Sequence, residues 1–203
     1  SYPLLDYIDY YLFENGQQIE AIAIGDNVRF SKRPIKHRYF LFPIKLKPRQ
    51  SVTVLFHMQT LGSAQFPLEL VPSRTFHEKD QFELAIQILF IGIMMAIAGY
   101  NLILFVFIKE SSYLYYVGYV AAYSLMQFTM RGLGNQWLWP FATGWNETTL
   151  FYSLAGTLGF ACMFSISFLQ LKQNQIYFFH IIRVLFYLAI AAVLLSFFIS
   201  YSI

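Results

Sequence analysis

The residues best equipped for chemistry lie in the first half of the chain. Arg29, Lys32, Arg33, Lys36, Arg38, Lys45, Lys47 and Arg49 form a basic stretch with His37 and aromatic residues interleaved. Such a stretch can hold a small anion, a sugar acid or lipid headgroups. It can equally be a solvated loop with strand edges guarded by lysine, and for the lysines that reading is favoured. Arg38, close to Pro43 and several aromatic residues, is suited to fixing a sheet edge through charge-assisted bonds. His37, His57 and His77 recur at intervals of 20 residues. No carboxylate or cysteine stands beside them at ligand spacing, so neither a metal nor another cofactor is expected. Asp6 and Asp9, three apart in a strand-like run, point to opposite faces. There is no nucleophile elbow, phosphate loop or paired-acid motif, so catalysis is not expected from this chain.

The elements that carry these residues follow from composition. The chain is 57% hydrophobic, 20% aromatic and 12% charged, with a mean hydropathy of +0.49. Soluble domains carry about a quarter charged residues, so half that share makes lipid one of the solvents. A net charge of +3 with no nucleic-acid motif gives no reason to expect a nucleic-acid partner. Cys162 is the one cysteine, which rules out an intrachain disulfide and reads as a small apolar residue. Ser1-Tyr2-Pro3-Leu4 has neither the charged nor the apolar region of a signal peptide, so a longer parent protein is expected.

The chain divides near residue 81. Residues 1–81 hold 10 Lys/Arg and 8 Asp/Glu, and their periodicity is two. Tyr7–Phe13 and Gln18–Ile24 read as a hairpin turning at Asn15-Gly16 and stopping at Gly25-Asp26-Asn27. Tyr39–Leu46 reads as an edge or bulged strand because of Pro43. Ser51–Gln59 is the clearest strand, with Val52, Val54, Phe56 and Met58 on one face. Phe66–Val71 is a further short one. About five strands predict a partial antiparallel β-sandwich, jelly-roll-like; the loop charges make it an extracytoplasmic module. Residues 82–203 follow as about four transmembrane α-helices, at about 82–108, 113–130, 148–171 and 184–201, with an amphipathic connector over Lys172–Arg183.

Within the helices, the amides of Asn101 and Gln127 are expected to make transmembrane polar contacts, each bonding across the bundle to another helix. Tyr116, Tyr119 and Tyr123 fall on one stripe of the second span, where aromatic packing is the ordinary role. Gly92, Gly99, Gly156 and Gly159 permit close helix approach. Arg131 and Arg183 are expected to snorkel to the interfaces. Trp137, Trp139 and Trp145 suit an interfacial belt. Lys109, Lys172 and Arg183 in the first and third turns outvote Arg131 in the second, which places residues 1–81 outside.

Particular residues resemble a known family. Pro3-Leu4-Leu5-Asp6, Gly25-Asp26, the run Arg33-Pro34-Ile35-Lys36-His37-Arg38-Tyr39-Phe40-Leu41-Phe42-Pro43, Gly62-Ser63 and Pro67-Leu68 look like the second half of an extracellular module. That module belongs to the bacterial seven-transmembrane receptors with diverse intracellular signalling modules. Tyr100-Asn101, Ser112-Tyr113-Leu114-Tyr115-Tyr116 and the run from Gly132 to Pro140 agree with the family's membrane region. His57 departs from it, standing where the family usually has arginine. The resemblance implies a jelly-roll that binds carbohydrate or a related small ligand, with Arg33, His37 and Arg38 as its ligand-binding candidates. It further implies seven helices and a cytoplasmic diguanylate cyclase or histidine kinase, so the front of the module, about three helices and the output domain are expected outside this chain. The location implied is the bacterial inner membrane, multi-pass, with the N-terminal domain in the periplasm, lipid as partner and a homodimer as a plausible assembly. The alternative is a membrane transporter or membrane-enzyme subunit with an accessory β-domain. The sequence shows no convincing repeat and almost no midplane charge, which favours the receptor.

Overall fold

The computed structural model describes residues 5–60 and 67–200, the side chains of 174 and 196–200 excepted. The chain forms two compact units: Ser1–Glu69 with Phe128–Thr149, and Leu70–Gln127 with Leu150–Ile203.

In the first unit, alternation of apolar residues drives the sheet. β1 (Tyr7–Glu14) pairs antiparallel with β2 (Gln17–Ile24) on one side and with β3 (Val52–Gln59) on the other, giving the order β2-β1-β3. Asn15 and Gly16 both have positive φ, 49° and 79°, as a two-residue hairpin turn requires. A register shift at Leu12/Phe13 leaves Ile19 as the extra residue on β2. Ile8, Tyr10 and Leu12 alternate inward on the central strand, and Leu5, Ile8 and Ile24 form the buried core. The Tyr10 ring stacks on Phe42 at 4.7 Å and meets Phe56 at 5.5 Å.

Two expected strands are corrected. Tyr39–Leu46 joins no ladder; Pro43 lacks a donor, and the segment contributes side chains instead, with Phe40 and Phe42 packed on the core. Residues 67–71 likewise form no strand, with Leu68 and Leu70 exposed between Pro67 and Pro72. Phe66, like Pro3-Leu4, Gly62-Ser63 and Tyr201, lies outside the described residues.

The helices are α1 (Ser73–Ile108), α2 (Ser111–Met130), α3 (Trp145–Phe168), α4 (Leu171–Asn174) and α5 (Ile176–Ser200). α1 starts nine residues before the expected span, directly after Pro72, and ends where Lys109 takes a left-handed conformation. Its 36 residues rise about 54 Å, more than the hydrocarbon thickness, and its charges all fall between Arg74 and Glu83. α1, α3 and Ile176–Leu195 of α5 are long and apolar enough to cross a membrane. α2 is not among these three; its tyrosines lower its hydropathy. The expected amphipathic connector is also corrected: α5 begins at Ile176, so Arg183 lies inside it, over the Phe179 and Tyr187 rings at 5.5 and 5.8 Å.

Small residues and rings set the helix contacts of the second unit. A Cβ on Gly118 would collide with the Phe160 ring, and Gly156 faces Ala122, so α2 and α3 approach closely at both points. Gly92 and Gly99 have no described neighbour within 4 Å. The tyrosine stripe is a packing ladder, with Tyr116–Tyr119 at 6.2 Å, Tyr119–Tyr123 at 6.1 Å and Tyr116–Phe164 at 5.3 Å.

Tyr10 holds the sheet to its aromatic cover, so Tyr10→Ala is expected to cost about 3–5 kcal/mol. Urea unfolding followed by circular dichroism on the β-module signal measures it.

Candidate functional site

β2 runs out at Ile24, and the next two residues create the site. Gly25 lies so close to the Asp6 backbone carbonyl that any Cβ would clash with it. That approach lets the Asp26 amide donate to the Leu5 carbonyl at 2.8 Å and the Asn27 amide to the Asp6 carbonyl at 3.2 Å. Asp26 is thereby fixed with its side chain inward, 2% exposed.

Its partners come from the segment between α2 and α3. After α2 the chain turns at Gly132 (φ 72°) and forms a single π-helical turn, Gly134–Leu138. Gly134 has no side chain to displace the Trp139 indole packed on it. Asn135, in that turn, donates from Nδ2 to Asp26 Oδ1 at 2.5 Å. Asn146, in the first turn of α3, donates from Nδ2 to the same oxygen at 2.7 Å. The indole Nε1 of Trp139 donates to Asn146 Oδ1 at 2.6 Å. An indole can only donate, so this bond fixes which way the Asn146 amide faces. Asn135 and Asn146 are both buried, at 5% and 1% exposed.

The electrostatics are those of a charge removed from water. Burial pushes the Asp26 carboxyl up from 3.8 to about 6; the Asn146 hydrogen bond and Arg33 act against this, while Glu147 and Asp6 add to it. Burial likewise pulls the Arg33 guanidinium down to about 10, with Asp26 opposing. Among the described residues, Asp26 Oδ2 and the Nε and Nη2 atoms of Arg33 are buried without a hydrogen-bond partner. The Glu147 carboxyl hydrogen-bonds that of Asp6.

The candidate ligand-binding residues have definite places. Arg33 is buried, donates from Nη1 to the carbonyls of His37 (2.9 Å) and Arg38 (3.4 Å), and lies against the Phe30 and Phe40 rings. Arg38 is 1% exposed with its guanidinium over the Tyr39 ring at 4.8 Å. His37, half-buried, accepts from the Tyr39 amide through Nδ1 at 3.0 Å. The three thus share one tight turn, which Arg33 closes from inside. His57 pairs with Asp9 at 3.1 Å on the exposed face of the sheet. The amides expected to bond across the bundle bond within their own helices instead. Asn101 Nδ2 donates to the Ile97 carbonyl at 2.9 Å, and Gln127 Nε2 donates to the Tyr123 hydroxyl at 3.0 Å. A partner one turn back thus takes one donor of each amide.

Asp26, Asn135 and Asn146 were not among the residues singled out from sequence. Two asparagines near tryptophans in a loop between apolar spans were the available signal.

A family model described as 7TM diverse intracellular signalling matches residues 83–203, and one described as 7TMR-DISM extracellular 2 matches residues 1–72. The chain belongs to the 7TM diverse intracellular signalling family. No curated protein and no solved structure shows a significant match. In this 7TM signalling protein, a multi-pass membrane protein, Asp26 falls in the extracellular-module match and both asparagines in the membrane-region match. The bonds at Oδ1 therefore join the family's two parts, inside one compact unit.

Asn146→Ala removes a donor from Asp26 and orphans the Trp139 indole. It is expected to cost about 1–3 kcal/mol of docking, read as faster hydrogen exchange over residues 131–147.

Proposed function

We propose that this chain is the receptor portion of a transmembrane signal-transduction protein. Its β-module senses a small periplasmic ligand of carbohydrate-like chemistry, and its helices relay the event to a cytoplasmic output domain. The observation that carries this reading is the junction at Asp26. A change in the β2 end of the module acts on Asn135, which follows α2, and on Asn146, which opens α3. The physics needs a ligand that binds two states of the module unequally, and a junction through which that difference reaches the helix ends. The chain's role is recognition and relay, with any cyclase or kinase chemistry residing in the output domain. Membrane lipid is its standing partner; a second copy suits a receptor of this design, and nucleic acid does not.

Orientation follows from charge. With Arg183 inside α5, Lys109 and Lys172 still outvote Arg131, which supports a β-module on the periplasmic side. In a Cys162→Ala background, a cysteine replacing Lys36 is expected to react with membrane-impermeant maleimide on intact spheroplasts. One replacing Lys109 is expected to react only after lysis. The opposite pattern would refute this orientation.

All three tryptophans lie in the segment that meets Asp26, so its state reports on itself. For protein in nanodiscs, an oligosaccharide that binds is expected to shift tryptophan emission. Asn146→Ala should keep the binding, measured calorimetrically, and lose the shift. Uptake of the same sugars into proteoliposomes would instead establish the transporter alternative.

A further inference from the structure

The Asp26 junction contains a group that the relay reading alone does not use. Oδ1 takes both amide bonds, whereas Oδ2 is buried with no hydrogen-bond partner among the described residues. A proton placed on Oδ2 leaves both Oδ1 bonds intact and removes a buried charge. We infer that Asp26 is a proton-binding site, through which acidity outside the membrane sets how firmly the 131–147 segment is held on the β-module. The inference builds on the receptor reading for its biological sense, but its chemistry needs neither a ligand nor an output domain.

The groups facing Asp26 favour the protonated form. From the start of the sheet comes Asp6 and from the first turn of α3 comes Glu147, two carboxyls that hydrogen-bond each other. Both raise the proton affinity of Asp26. Asn135 and Asn146 are neutral donors. Arg33 is the opposing cation, but its Nη1 is committed to the carbonyls of His37 and Arg38. Arg38, also buried, lies on the Tyr39 ring.

The direction of the effect follows from linkage. Docked Asp26 titrates at about 6, whereas released into water it would titrate at its ordinary 3.8. Docking therefore takes up a proton. The contribution is complete below about pH 4, is lost as pH rises through about 6, and amounts to about a hundredfold in the docking equilibrium. Acid tightens the junction and neutrality loosens it.

The test uses the full chain in nanodiscs without any added ligand, between about pH 4 and about pH 8. Its readouts are tryptophan emission and hydrogen-exchange protection of residues 131–147, corrected for intrinsic exchange. Wild type is expected to lose protection as pH rises, with a midpoint near 6. Asp26→Asn, a neutral isostere, should abolish this transition. Glu147→Gln takes away one of the two carboxyls that raise Asp26, so its midpoint should move to lower pH. A flat wild-type profile, or a transition unchanged in Asp26→Asn, would overturn the assignment. Should Asp26→Asn fail to fold, an unmoved midpoint in Glu147→Gln overturns it and a lowered one supports it. Absence of any sugar response would count against the ligand reading while leaving this titration standing.

Discussion

Burying one carboxylate is the constraint on which the first unit depends. A charge taken out of water costs several kcal/mol unless donors replace the lost hydration. At Asp26 the donors come from residues 109 and 120 positions away. The sheet and the inter-helix segment are thus not independently complete: the sheet's end presents an acceptor that needs the amides, and the amides are buried only because the acceptor is there. Trp139 extends the dependence one step further by fixing how Asn146 faces.

Local packing makes this arrangement affordable. The backbone bonds from Asp26 and Asn27 to Leu5 and Asp6 carry the β1–β2 pairing past its formal end, and Gly25 alone allows the approach. Tyr10, Phe42 and Phe56 pack ring against ring, and Phe42 and Phe56 also cover the Leu5, Ile8 and Ile24 core. The 30–42 segment serves the same end: its arginines turn inward among aromatic rings, and its exposed lysines remain in water.

The sequence was most informative where physics is local. Asn15-Gly16 fixed a hairpin, alternation from Val52 to Phe56 fixed a strand, and long apolar runs marked the helices that can cross lipid. It was less informative where a strand needs a partner, because aromatic content at Tyr39–Leu46 cannot reveal whether a neighbour accepts its ladder. The site was least visible. Gly25-Asp26-Asn27 reads as a turn on composition, and nothing in it points to asparagines more than 100 residues on. The family resemblance included both Gly25-Asp26 and the Gly132–Pro140 run, but no rule of spacing joins them. Arg33 and Arg38 stand out in the sequence through the family resemblance, whereas their placement is governed by ring faces and backbone carbonyls.

The amides of Asn101 and Gln127 have a mechanical consequence. Each is anchored to its own helix, so turning α1 or α2 about its axis carries that bond along unbroken. Among the described contacts between α2 and α3 are Gly118 beneath Phe160 and Gly156 against Ala122. Contacts of that kind are individually weak and can be exchanged one for another as the surfaces slide. Rotation of α1 or α2 would thus be recorded in which rings and small residues meet, and not in the bonding of either amide.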